Sequence, residues 1–170
     1  MPLHSLIAQL RFSRSEFVRG LKDVSEVDAV RRLVPMNCLR WLVGHLADHE
    51  HYFWVILAQQ KNVAPGLFYL AGYGQPASTP ALKEMWATWQ KVTATADEYL
   101  DTLTAETMQS HLVRDGRPEE ENVGTLLMRT IYHYWYHTGE ASAIRQMLGH
   151  THLPEFVGNM TTTSYRPEEC

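Results

Sequence analysis

The sequence predicts an all-α chain, a four-helix bundle with long middle connections. Three observations carry this. Apolar residues recur at helical spacing in four long windows, strict alternation never persists long enough to argue for a sheet, and no repeat or composition break divides the chain. Its 170 residues, 45% apolar and 20% charged, suit one soluble domain with a real core.

The first window, about residues 3–21, places Leu3, Leu6, Ile7, Leu10, Phe17, Val18 and Leu21 on one side. The second opens at Asn37, a good N-cap. It runs through Leu39, Leu42, Val43, Leu46, Phe53, Ile56 and Leu57, then breaks at Asn62 and Pro65-Gly66. Residues 61–80 form a long connection with Gly, Pro and aromatics (Phe68, Tyr69, Tyr73), too apolar for a disordered linker and expected to fold over something. The third window has Thr79 as N-cap and Pro80 at the first helical position, and its Trp86 and Trp89 predict a heavily buried face. After a connection with the turn signal Asp115-Gly116, Asn122 caps the fourth window and Gly149 closes it. The bundle is expected over residues 1–150. Residues 151–170, with Phe156, Val157 and Met160, form an extension partly packed on it.

A formal charge of -4 without long single-sign runs gives no basic stripe for nucleic acid and no polybasic membrane anchor. No apolar stretch approaches the ~20 residues that cross a bilayer. Cys38 and Cys170, the two cysteines, suggest neither a disulfide framework nor a zinc knuckle. The expectation is a cytoplasmic protein without nucleic-acid or membrane partners.

His133 and His137 stand four apart in the fourth window, where helical side chains share a face. Such a pair grips one metal ion if a distant segment supplies a further ligand. His45, sharing a turn with Leu42 and Leu46, points toward the bundle interior, and His49 one turn on is the substitute. The competing reading is that these are half-buried histidines hydrogen-bonded to neighbours. The inward Glu-x-x-His pattern of di-metal carboxylate bundles is missing at these histidines, as is the His-Glu-x-x-His of zinc peptidases, so one mononuclear site is favoured. His4, His51, His111, His150 and His152 are read as surface or terminal. Asp48 and Glu140 are the candidates to orient a ligand imidazole or shuttle a proton. Tyr52, Phe53, Tyr134 and Trp135 are candidates to wall a pocket, with core packing expected for at least half of them.

Two segments, Leu39-Arg-Trp-Leu-Val-Gly-His45-Leu-Ala-Asp-His-Glu50 and His133-Tyr-Trp-Tyr-His137-Thr-Gly139-Glu140, resemble the marks of the DinB-like (DinB/YfiT) metalloenzymes. The resemblance spans about residues 1–150. It implies His45, His133 and His137 as ligands of a divalent metal, zinc or nickel being usual, in a bundle that is often a homodimer. Its characterised relatives include S-transferases using mycothiol or bacillithiol and a thiol-dependent maleylpyruvate isomerase. The family's usual Gln after the glycine is Glu140 here.

The first functional expectation is therefore an enzyme in which the metal activates a low-molecular-weight thiol for attack on a small electrophilic substrate. A metal-activated water running a hydrolysis is the alternative. A reading of another class makes the metal a structural clip in a stress-linked binding or dimerisation module. A bundle without metal requires the three histidines to lie apart.

Overall fold

The computed structural model describes residues 4–155 and 157–164. Leu3, Phe156 and Cys170, invoked above, lie outside the described residues. Helix α1, Ser5–Gly20, starts at His4, whose Nδ1 accepts from the Leu6 amide (3.2 Å). It buries Ile7, Leu10, Arg14 and Phe17, and Leu21 just beyond it is also buried, a stripe spaced three or four apart. Val18, one residue off that stripe, turns outward, contrary to expectation. A short α2, Glu26–Val30, is capped by Ser25, whose hydroxyl accepts from the Asp28 amide.

Helix α3, Leu39–Glu50, is preceded by Cys38 rather than Asn37 as N-cap. The Asn37 side chain is instead engaged by Arg32 (2.8 Å), which removes it from capping duty. The helix then runs on as a π-helical segment, His51–Leu57. The connection after it contains α4, Leu67–Ala71, which presses Leu67 and Ala71 inward and leaves Phe68, Tyr69 and Tyr73 exposed. Helix α5, Leu82–Leu100, begins two residues later than Pro80 suggests. Its N-terminal amides of Leu82 and Lys83 donate to the Glu26 carboxylate of α2, so another element supplies the cap expected of Thr79. Trp86 and Trp89 are only half-buried. Helix α6, Val123–Met147, has the expected cap, Asn122 accepting from the Thr125 amide (2.8 Å). It ends in a Schellman motif: Gly149, at φ +85°, donates to Gln146 O, and His150 donates to Arg145 O.

One departure from the all-α expectation is a hairpin, β1 (His111–Arg114) with β2 (Arg117–Asn122), antiparallel. Asp115 and Gly116 both adopt positive φ (50° and 77°), as a two-residue type I′ turn requires. Alternation is hidden because one strand reads Arg-Pro-Glu-Glu-Glu-Asn and buries none of its residues fully.

Contacts between the long helices give their directions. Phe12 meets Trp135, while Gly20, two turns on, faces Thr138 and accepts from Arg145, so α1 runs parallel to α6. Gly44 meets Met85 and Trp54 meets Tyr99, so α3 runs parallel to α5. Arg11 reaches Asp101 while Phe17 reaches Trp86, which makes the two pairs antiparallel. An up-down-down-up order demands that the α3–α5 connection return the full length of the bundle, which is why residues 58–81 are long.

At the centre of the bundle lies a charge network shared by all four long helices. The Arg14 guanidinium makes a bidentate pair with Glu50 (Nε to Oε1 2.8 Å) and reaches Asp97 (2.7 Å). The Tyr134 hydroxyl donates to Glu50 (2.6 Å) and accepts from Trp89 Nε1–H (2.7 Å). Burial opposes the charge on Arg14, yet the Glu50 carboxylate beside it holds its pKa above the ordinary value. Burial, with Glu50 adjacent, pushes the Tyr134 hydroxyl well up, so it stays a neutral donor.

His51 corrects the surface reading: it is buried, and its Nε2 accepts from the Val63 and Ala64 amides (3.2 and 3.3 Å) where the chain leaves the π segment. His4 caps α1 and half-exposed His150 pairs with Asp28 (3.4 Å). After α6 the chain lies along α1, with the Gly158 amide donating to Glu16 (2.8 Å) and Gln9 donating to Thr163 O (3.3 Å). Among the described residues no helix is long and apolar enough to cross a membrane.

Candidate metal centre

Antiparallel α3 and α6 bring together the three predicted histidines. His45 Nε2 lies 3.2 Å from His133 Nε2, which lies 2.9 Å from His137 Nε2. One ligand atom from each falls within 4.8 Å of the others. Proximity removes the reading that needed the three apart. His49 is a neighbour, its ring 4.5 Å from that of His133, but it stands outside the trio of converging nitrogens.

The far nitrogens are oriented by acceptors. His45 Nδ1 lies 2.8 Å from the Ala71 carbonyl, which can only accept, so that nitrogen carries the proton and Nε2 presents a lone pair. His137 Nδ1 lies 2.7 Å from Glu140 Oε2, with the same outcome. The His45 ring also stacks on Trp41 at 4.5 Å. His133 Nδ1 is buried and has no hydrogen-bond partner among the described residues. His133 can donate only one Nε2 proton into this cluster, so neutral imidazoles cannot satisfy all the facing lone pairs among themselves. A divalent cation satisfies all three at once, and three neutral imidazoles are the donor set such ions accept.

Burial keeps His45, His49 and His133 neutral. Burial first, then the neighbouring imidazoles, lowers His133 to about 2. Burial takes His49 to about 3 and, against the pull of Ala71 O, His45 to about 4. These groups bind protons more weakly in the fold than in the unfolded chain near 6.5. The stability they contribute is complete above about 6.5 and is lost as pH falls toward 4 and below. Asp48, pushed up to about 6 by burial, works in the opposite direction, one group against three. We expect the metal-free protein to unfold at lower urea concentration at pH 5 than at pH 7.5; equal midpoints would contradict the buried neutral imidazoles.

Glu140 thus touches one of the three clustered histidines, His137. Asp48 is half-buried one turn along from His45, and its carboxyl makes no hydrogen bond or ion pair among the described residues. Tyr134 belongs to the central network and Trp135 packs on Phe12, as core residues do, while Phe53 lines a groove beside the histidines and the Tyr52 hydroxyl accepts from Arg114 (3.0 Å).

Sequence reasoning missed the carbonyl of Ala71 and the residue that admits it, Gly44. A Cβ on Gly44 would lie 2.9 Å from Ala71 Cβ and 2.6 Å from Met85 Sδ, so only glycine lets α4 sit this close to α3. The signal was the apolar character of the long connection together with a glycine beside the predicted ligand.

No curated protein matches the chain. The family described as Mycothiol-S-transferase matches over residues 5–149, which contain every element that builds the histidine cluster. The helical architecture, the three converging histidines and this match agree: the chain belongs to the mycothiol S-transferase family, a DinB/YfiT-like family.

Proposed function

We propose that the protein is a metal-dependent thiol S-transferase in which His45, His133 and His137 hold one divalent ion, zinc or nickel, and a low-molecular-weight thiol is transferred to an electrophilic small molecule. The observation that carries this is the set of three facing Nε2 lone pairs, two of them locked by Nδ1 acceptors. When bound, such an ion supplies the positive charge that lets a thiol lose its proton at neutral pH.

The chain's own residues do the rest. Glu140 and the Ala71 carbonyl hold two imidazoles in one tautomer, so their donor atoms are in place before any ligand arrives. Asp48, with a carboxyl raised to about 6 and no competing partner, is ionised at neutral pH and takes the thiol proton in this reading. Trp41 covers the His45 ring and keeps water from that side.

Elemental analysis of protein purified without chelator or nickel resin, followed by thiol consumption with mycothiol and an electrophile, tests the reading. About one metal per chain and metal-dependent consumption are expected; a metal-free protein after reconstitution with zinc or nickel would overturn it. The Gly44 contact adds a sharper test. Met85 can turn its sulfur away from a new methyl, but Ala71 Cβ is fixed to the backbone, so Gly44→Ala lifts α4 and draws the carbonyl from His45. We expect metal affinity to fall about 10–100-fold in Gly44→Ala. Adding Ala71→Gly should restore most of it, as read by competition against a chelating dye, and an unchanged affinity in Gly44→Ala would refute the clamp.

A further inference from the structure

At the end of α6 away from the hairpin, the C-terminal ends of α1 and α6 and the chain that follows α6 border a cavity of about 610 Å³. Arg145 lines it, about 12 Å of helix rise beyond His137, so the cavity stands apart from the three clustered histidines. Arg145 is buried, only 6% exposed. A guanidinium keeps its charge in the fold, and a buried charge is ordinarily met by an opposite one. Here the partners are uncharged: Nε donates to His150 Nδ1 (3.1 Å) and Nη1 to Gly20 O. His150, accepting at Nδ1, carries its proton on Nε2, which faces Asp28 (3.4 Å). Gly20 O, at the end of α1, supplies only a partial negative charge. Among the described residues Arg145 makes no ion pair and its Nη2 makes no hydrogen bond. Burial holds its pKa below the ordinary value, with Asp23 the one acid acting against that.

The other charges around the cavity divide into occupied and free. Arg19 is taken by Glu16 (2.8 Å), and Asp28 by the Ser25 hydroxyl (2.8 Å) and His150. Lys22 and Asp23, both exposed, make no ion pair among the described residues. Two free cations against one free carboxylate call for a further negative group, and a guanidinium edge presents its donors in the geometry that oxyanions accept. A phosphate brings a charge of about -1.5 to -2 and three acceptor oxygens, against one charge and two oxygens for a carboxylate. The cavity is larger than a phosphate ion, and Leu153 and Pro154 give it an apolar wall for an ester group to cover.

We propose that this cavity binds the phosphate of a small phosphomonoester, held by Arg145 and Lys22, at a site separate from the histidines. Phenyl phosphate, inorganic phosphate and benzoate are titrated into the 15N-labelled, metal-free chain at constant ionic strength set with chloride. Phenyl phosphate should shift the Arg145 Nε–H resonance and the amides of Lys22 and Thr151 saturably, with inorganic phosphate about 3-fold weaker and benzoate about 10-fold weaker. Lys22→Ala should weaken phenyl phosphate about 3-fold and Asp23→Asn should tighten it about 3-fold. Both positions are exposed, and Asn accepts the positive φ (62°) of Asp23, so these variants keep the fold where Arg145→Gln also removes the Gly20 contact. His137→Ala should bind phenyl phosphate as the wild type does. An Arg145 resonance that does not move, or Lys22 and Asp23 variants that both match wild type, would overturn the site. Loss of binding in His137→Ala would overturn it too, by placing the anion at the histidines. Benzoate binding as tightly as phenyl phosphate would overturn the phosphate assignment, and inorganic phosphate doing so would overturn the ester.

Discussion

Replacing His137 with alanine should reduce bound metal from about one ion per chain to nearly none, while helix content by circular dichroism stays close to wild type. Three imidazoles are the minimum that grips an ion with open positions for a thiol, and two on different helices form a far weaker chelate. The hydrophobic core is built from residues such as Leu10, Phe17, Leu42, Leu46, Leu127 and Ile144 rather than from this ring, so the helices should form without it. Removing the imidazole also relieves the mutual crowding of lone pairs, so the metal-free variant should be no less stable than the metal-free wild type. Glu140→Gln makes the finer comparison. It keeps an acceptor near His137 Nδ1 but removes the charge, and metal affinity should drop by less than in Gly44→Ala. Retention of a full metal equivalent by His137→Ala would show that His49 or another group completes the site, and would sink the ligand assignment.

The positions of the three clustered histidines were readable because they lie in regular α-helix, where spacings of four residues put His133 above His137 and where His45 shares its turn with core leucines. The same regularity misplaced His51. A π-helical segment takes more residues per turn, so from residue 51 onward the 3.6-residue phase that assigned it to solvent no longer holds, and the ring turns into the protein. Helix starts were misplaced for a different reason. Asn37 and Thr79 have the chemistry of caps, but Arg32 competes for one, and Glu26, distant in sequence, serves the α5 amides in place of the other. The hairpin was announced by Asp115-Gly116 alone, because its strands bury little and show no alternation. Neither the Ala71 carbonyl nor the cavity at Arg145 has a sequence signature. Both arise from where the connections land.

The second large effect is expected at Glu50. Glu50→Ala leaves the Arg14 guanidinium, 5% exposed, facing Tyr134 and only one remaining carboxylate, Asp97, which is itself partly solvated. Breaking one side of a buried ion pair costs about 3–5 kcal/mol, a large part of the whole stability of a domain this size. Denaturant unfolding should register that loss directly. Replacing both partners, Arg14→Met with Glu50→Met, should cost less than Glu50→Ala, because the desolvation penalty disappears with the charges. The network also joins the two halves of the candidate metal centre. Glu50 ends the helix that carries His45, and Tyr134, its hydrogen-bond partner, follows His133 on α6. In the double variant the core is filled but the bond that sets α3 against α6 is gone. Metal affinity should then fall while stability is largely kept. A double variant that recovers stability and metal binding together would show that packing alone registers the two helices; recovery of stability without metal assigns that task to the buried charges.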